Sequence, residues 1–259
     1  MTIQAAAYSS KGRRPHNEDS FLIAGKTGTF NAVPPGGGGP EEGAAVFDGE
    51  IITPLFFAVA DGMGGHDAGD AASAFVVEKM RDAAASCTGS FDAENLELTI
   101  KAVHASLLEE GKTRGTPNMG STLTGLVLQN GAPPGFFNAG DSRGYRLRNG
   151  FIRQLTRDDS LASVVPGAAK NIITNAVGAG LPDVSVASRF ASSVAVPGDV
   201  FLFCCDGVHG FVSDDEIETA LGRDSPPEEI AKYIVDTAIA HNSDDNCTAV
   251  VVKILEQGE

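Results

Sequence analysis

Two apolar runs in this chain close on the same dipeptide. Leu55-Phe56-Phe57-Ala58-Val59-Ala60 leads into Asp61-Gly62, and Val200-Phe201-Leu202-Phe203-Cys204-Cys205 leads into Asp206-Gly207. Short and rich in Phe, Val and Leu, each predicts a strand buried on both faces and ended by a turn. Further strands are predicted at 3–9, 20–24, 120–129, 135–139, 144–148, 184–196 and 247–255. Asn130-Gly131, Asn149-Gly150 and Pro197-Gly198-Asp199 supply turns between them. Helical spacing appears at 70–86 (Phe75, Val76, Met80, Ala83) and at 92–112 (Leu96, Ile100, Val103, Leu107). Ser213-Asp214-Asp215-Glu216 reads as a capping box opening a helix that stops near Gly222. Ser225-Pro226-Pro227-Glu228 opens another that runs to about His241. Segment 25–53, centred on Pro34-Pro35-Gly36-Gly37-Gly38-Gly39-Pro40, fits no packed element and is read as a flexible insertion. Its glycines lack the Lys-Ser/Thr that would make a phosphate loop. Hairpin turns outnumber helical crossovers, so the pattern predicts an α+β layered fold with antiparallel sheets.

Composition narrows the function. At 259 residues the chain supports a real core, and it is taken as one domain, 1–259. A net charge of −15 argues against a nucleic-acid partner and makes an anionic substrate awkward unless cations line the site. No apolar run reaches membrane-spanning length and Met1 to Tyr8 does not resemble a signal peptide, so a cytoplasmic protein without a membrane partner is expected. Cys87, Cys204, Cys205 and Cys247 lack metal or redox spacing and read as small hydrophobes in a reducing compartment.

The paired Asp-Gly ends carry the first chemical hint. A carboxylate at the mouth of a buried strand is rigidly held, and a Gly after it leaves the neighbouring carbonyl open to close approach. Two such ends suggest a metal site at one edge of a sheet, although each by itself also fits a plain turn.

Six stretches make the reading specific. They are Arg14-Pro15-His16-Asn17-Glu18-Asp19, the run from Phe56 through Asp61-Gly62-Met63-Gly64-Gly65-His66, and Gly120-Ser121-Thr122-Leu123-Thr124-Gly125. Asn138-Ala139-Gly140-Asp141-Ser142-Arg143, Leu202 through Asp206-Gly207, and Ser243-Asp244-Asp245-Asn246-Cys247-Thr248 complete the set. In this order and across nearly the whole chain, they resemble the metal-dependent Ser/Thr protein phosphatases of type 2C, in particular the single-domain bacterial members. The resemblance implies a four-layer α-β-β-α sandwich, two antiparallel sheets flanked by helix pairs, with two Mg²⁺ or Mn²⁺ ions at one end. It implies that Asp61 bridges the metals and that the Gly62 carbonyl is a further ligand. Asp206 and Asp245 would hold one ion, and Glu18 and Asp19 the other, directly or through water. Oxygen donors of this kind suit hard divalent cations. A water shared by two cations about 3.5–4 Å apart is acidified for in-line attack on phosphorus. Arg14 would clamp the phosphate as a bidentate fork, its alternative being a surface ion pair. The turn 140–143 is expected to brace the strand ends rather than to ligate metal.

Three departures qualify the resemblance. Asn118 stands where many bacterial relatives place an Asp that helps bind a third metal, so a third ion is expected to be absent or partly occupied. Met63 replaces a His proposed in some relatives as general acid; His66 is the nearby candidate, with a loop or packing role as its alternative. The flap beside the site is reduced to 161–170. The expected activity is hydrolysis of phosphoserine and phosphothreonine in a protein substrate, by a monomer that opposes a cognate Ser/Thr kinase in bacterial signalling. A noncatalytic phosphoprotein-binding scaffold and a hydrolase of small phosphoesters are the alternatives. An aspartyl-phosphate mechanism would need Asp-x-Asp, and neither Asp-Gly end supplies it.

Overall fold

The computed structural model describes residues 1–24, 42–52, 54–64, 68–87, 89–165, 167–169 and 172–256. In chain order, β1 (Thr2–Ser10), β2 (Asp19–Ala24), β3 (Glu42–Glu50) and β4 (Leu55–Met63) precede helices α1 (Gly69–Ser86) and α2 (Ala93–Arg114). Strands β5 (Gly120–Ser121), β6 (Leu123–Leu128), β7 (Gly135–Ala139), β8 (Arg143–Arg148) and β9 (Phe151–Gln154) follow. After the two-residue strands β10 (Val177–Gly178) and β11 (Arg189–Phe190), β12 (Val200–Cys204) runs straight into the short helix α3 (Asp206–His209). Helices α4 (Asp214–Leu221) and α5 (Pro227–Ala240) lead to β13 (Cys247–Leu255).

All strand pairs are antiparallel and fall into two sheets. One has the order β3-β1-β13-β12-β8-β9, and the other β10-β5-β4-β6-β7-β11 with β2 alongside β4. Neighbouring phenylalanines show why these strands are apolar without alternation. Phe57 is buried in the core cluster shared by the two sheets, α4 and α5, while Phe56 sits in the cluster of α1, α2 and the second sheet. Successive side chains point to opposite faces, so a strand covered on both sides needs an apolar residue at every position. Phe136 and Phe201 meet across the sheets with ring centroids 5.9 Å apart, and Phe56 meets Phe91 edge-on at 4.8 Å. The result is the α-β-β-α sandwich with helices on both outer faces.

Local signals account for the helix ends. The Asp92 side chain accepts from Asn95 N at 2.8 Å, and α2 ends at Gly115 in the left-handed region, φ 75°. Ser213 and Glu216 form a reciprocal capping box on α4, and Pro227 opens α5. Asn149 and Gly150 both have positive φ and join β8 to β9, the geometry a tight hairpin requires.

Several expectations need correction. The segment 25–53 is not devoid of packed structure: Glu42–Glu50 forms β3, paired along β1 from Thr2↔Glu50 to Ser10↔Glu42. Ala45 and Phe47 alternate with the exposed Ala44, Val46 and Asp48 and bury one face, while β3 remains an edge strand. Residues 25–41 and Thr53 lie outside the described residues. Segment 184–196 is not a continuous strand; only Arg189–Phe190 pairs, with β7. Elsewhere its polar groups go to single partners, such as Ala187 N to Asn138 O and Ser185 N to Asn175 Oδ1. Segment 120–129 is broken at Thr122. At 161–170 the chain makes a 3-10 turn, Leu161–Ser163, and the loop closes where Ser160 bridges Ile173; Pro166 and Lys170 lie outside the described residues. Among the described residues, no helix is long and apolar enough to cross a membrane.

Packing of this kind has a measurable consequence. Phe57→Ala, at a fully buried position between the sheets, should lower the unfolding free energy by about 3–5 kcal/mol. Leu98→Ala, at a position 58% exposed, should stay within about 0.5 kcal/mol. Urea unfolding of the two variants checks both.

Candidate metal centre

Five carboxylates meet at one end of the sandwich, each delivered by a strand end. Asp19 opens β2 and lies directly across from Asp61 near the end of β4. Asp206 follows β12, Asp245 precedes β13, and Asp141 sits in the turn between β7 and β8. Like charges on directly opposed strand positions repel. Here the register holds Asp19 and Asp61 together regardless.

The surrounding backbone is anchored on every side. Asp61 N donates to Thr122 Oγ1 at 2.9 Å, and Asp61 O accepts from Thr122 N at 2.8 Å and from Ser121 Oγ at 3.0 Å. Thr122 Oγ1 is 2.8 Å from Ser142 Oγ, tying the Asp61 turn to the 140–143 turn. Asp19 Oδ2 accepts from Thr248 Oγ1 at 2.6 Å, whereas its buried Oδ1 has no hydrogen-bond partner. Asn246 straps the N-terminal segment onto the start of β13. Its Oδ1 accepts from Glu18 N at 2.8 Å, and its Nδ2 donates to the carbonyls of Lys11 and His16.

The two Asp-Gly ends are needed for close backbone approach. A Cβ on Gly62 would strike the carbonyls of Gly69 and Glu18, and one on Gly207 would strike the Asn246 carbonyl. Gly207 is therefore more than a turn residue, and Asp206-Gly207 begins α3 where the sequence suggested only a turn.

Electrostatics reflects the crowding. Burial raises Asp61 well above the usual carboxylate range, and the charges of Asp19, Asp206, Asp245 and Asp141 push it further. Burial likewise lifts Asp19 to about 7, against the hydrogen bond from Thr248 and with the charges of Asp206 and Asp245 adding to it. Asp141 rises to about 7 through burial and the nearby Asp206, and its Oδ1 is buried without a partner. Asp206 is raised by burial and by Asp245, partly offset by a hydrogen bond with Asp61. Such groups are either protonated or waiting for positive charge.

At the mouth, Arg14 Nη2 donates to Asp245 Oδ2 at 2.7 Å and Arg14 Nε to the Asp244 carbonyl at 3.1 Å, with the Arg14 side chain half exposed. The guanidinium faces a cleft of about 700 Å³ that Asp141, Arg143, Asp206 and His209 also line. Arg143 is held by a two-pronged pair with Asp158. The Glu18 carboxylate lies against Gly69 at the start of α1. Asn118 is exposed, and its Oδ1 faces Gly180. His66 lies outside the described residues.

The donor set fits hard divalent cations: oxygen atoms only, mostly carboxylate, with orphaned buried oxygens on Asp19 and Asp141. Among the described residues no three acidic, His or Cys groups already stand at ligation spacing. Two contributors escaped the sequence reading. Asp141 belongs to the acidic cluster rather than only bracing it, for which Gly-Asp in a strand-joining turn was the available signal. His209 Nε2 lies 3.0 Å from the Asp141 carbonyl, and burial followed by the Arg143 charge lowers its pKa to about 4, so it is neutral near pH 7. A carbonyl only accepts, so Nε2 carries the hydrogen.

A family model described as protein phosphatase 2C matches residues 46–251. The chain belongs to the protein phosphatase 2C family. It is therefore a metal-dependent protein phosphatase. A serine/threonine phosphatase, stp, of Listeria monocytogenes is 31% identical over 234 residues, covering 82% of this chain and 89% of the relative. The serine/threonine protein phosphatase PstP of Mycobacterium tuberculosis is 30% identical over 214 residues, 77% of this chain and 40% of that longer protein. A crystal structure of the PstP catalytic domain in complex with two manganese ions superposes with a TM-score of 0.75 at 26% identity, covering 99% of this chain and 100% of that one.

The raised carboxyls give the metal-free family member a definite pH response. Asp19 and Asp141 hold protons to about 7 when folded, against 3.8 for a solvated Asp, so the folded chain binds more protons in that window. Their contribution to stability is present below the unfolded pKa and is lost as pH rises through the folded one. In a chelator, the Tm of the wild type should fall more steeply from about pH 5 to about pH 8 than that of Asp19→Asn. Divalent cation at about pH 8 should restore it. Equal slopes in thermal melts would remove Asp19 from the effect.

Proposed function

We propose that the chain hydrolyses phosphoserine and phosphothreonine in protein substrates at the carboxylate cluster, with two divalent cations. The observation that carries this reading is the convergence of Asp19, Asp61, Asp206 and Asp245 from four strand ends in two sheets, with two buried oxygens nearby left unpartnered. Asp61 would serve both cations, with the Gly62 carbonyl as a further ligand; Asp206 and Asp245 would hold one, and Glu18 and Asp19 the other, directly or through water. When bound, Mg²⁺ or Mn²⁺ supplies an acidified water for in-line attack and offsets the charge of the phosphoryl group.

The chain's own residues do the rest. Arg14 is half exposed at the rim, where its planar fork can exchange the Asp245 carboxylate for phosphate oxygens. Asp245, engaged as a ligand, would leave less of its charge to Arg14, which would free the guanidinium for that exchange. Asn246 positions Arg14 by holding the backbone on both sides of it, at Lys11 and His16, and positions Glu18 through its backbone N–H. The Thr122 and Ser121 contacts fix the Asp61 turn, so ligand geometry is set before substrate arrives. His66 is proposed as the proton donor to the leaving alkoxide. Asn118, turned toward Gly180 and uncharged, supports only weak binding of a third cation. Opposition to a Ser/Thr kinase is the cellular role this activity implies.

Phosphate release from a phosphothreonine peptide in Mn²⁺ tests the reading. Asp206→Asn should lower kcat/KM on the order of a hundredfold or more, and EDTA should abolish turnover. Activity that survives EDTA refutes the metal assignment, while binding of the peptide without turnover selects a scaffold. Arg14→Lys should raise KM about tenfold, the value of one lost charge-assisted hydrogen bond. Unchanged turnover in His66→Ala removes that residue from proton transfer.

A further inference from the structure

A second concentration of charge, of opposite sign, lies along one lateral margin of the sandwich. Arg146 of β8 is directly across from Phe201 of β12, and Phe201 packs on Phe136 of the other sheet. Cross-strand partners share a face, so Arg146 stands on the face turned toward the second sheet. Arg148, two residues on, shares that face, as does Arg153, which lies across from Arg146 in β9. Arg189 of β11 is across from Phe136 and reaches the same margin from the second sheet. Its Nη2 donates to the Leu155 carbonyl just after β9, at 2.8 Å.

Counter-charge is short here. Asp199, fully buried, accepts from Nε and Nη2 of Arg148. Among the described residues no carboxylate forms an ion pair with Arg146, Arg153 or Arg189. Arg146 Nε is buried and has no hydrogen-bond partner at all. Burial and the adjacent Arg148 hold the Arg146 guanidinium below its ordinary pKa, with Asp199 opposing and Arg153 adding to the repulsion. Opposed like charges on neighbouring strands destabilise the pair. The chain has a net charge of −15, yet among the described residues Asp199 alone forms an ion pair with these arginines.

We propose that this margin is an anion-binding site, separate from the metal centre, in which Arg146, Arg153 and Arg189 take a tetrahedral oxyanion of the phosphate class. Guanidinium forks match such oxyanions, and those of Arg153 and Arg189, both exposed, are open to one from solvent. Arg146 lies three residues along β8 from Arg143, which lines the catalytic cleft, a run of about 10 Å. The bound group is either free phosphate, the product of the reaction, or a second phosphate carried by the phosphoprotein substrate. The site stands on the arginines alone and holds whether or not the carboxylate assignments do.

Titration of inorganic phosphate into the full-length chain in EDTA, read by calorimetry, tests it. Binding should appear in the wild type and persist in Arg14→Ala, and should weaken about tenfold or more in the double variant Arg146→Gln/Arg153→Gln. Arg153→Gln alone, at an exposed position, should weaken it in the same direction and guards against misfolding of the double variant. In Mn²⁺, a peptide with two phosphates that shows a lower KM than its singly phosphorylated form, an advantage lost in Arg153→Gln, identifies the protein-borne source. Equal KM values with phosphate binding intact identify the free ion. Phosphate binding that is unchanged in both arginine variants overturns the proposal, as does the absence of both phosphate binding and a KM advantage.

Discussion

Confinement of like charge governs this molecule. Asp19, Asp61, Asp141, Asp206 and Asp245 are brought within interaction range at the end of the sandwich, and Arg14 is the cation paired with one of them. Carboxylates drawn out of water lose solvation and repel one another, so burial and neighbouring charge both raise their pKa values. Such an arrangement persists because the frame is paid for elsewhere, by two apolar clusters and the sheet ladders. Divalent cations held as proposed would convert the same repulsion into binding energy.

The frame acts through backbone more than through side chains. Gly62 and Gly207 permit carbonyls of other segments to come where a methyl group would stand. Thr122, Thr248 and Asn246 then fix the approach by hydrogen bonds between segments distant in the chain. Because the acidic residues come from both sheets, the spacing of the centre depends on how Phe136 and Phe201 pack between them. Core and site are one mechanical unit, and the fold likeness to the PstP catalytic domain extends over 99% of this chain.

The margin arginines repeat the principle with the sign reversed. Asp199 takes Arg148 through both of its oxygens, while Arg146 keeps a buried donor without an acceptor. In both places unmatched charge marks where something from outside belongs. In the proposed function the cleft takes cations and a phosphoryl group; the margin, as proposed, takes an anion.

Local signals in the sequence determined a great deal. Buried strands were legible as uninterrupted apolar runs, helix starts as the Ser213–Glu216 box and Pro227, and the hairpin as Asn149-Gly150, because each is fixed by neighbours within a few residues. The two Asp-Gly ends and the ordered motifs marked the acidic residues and the family. Strand pairing was decided only in three dimensions. Polar-flanked Glu42–Glu50 became β3 because β1 offered a full ladder, and 184–196 stayed mostly irregular because only Arg189–Phe190 found a partner. Asp141 joined the acidic cluster, Gly207 proved essential to backbone approach, and four arginines spread from 146 to 189 met at one margin. A sequence specifies what each residue is able to donate, accept or bury; which groups must face each other without relief is settled by long-range register.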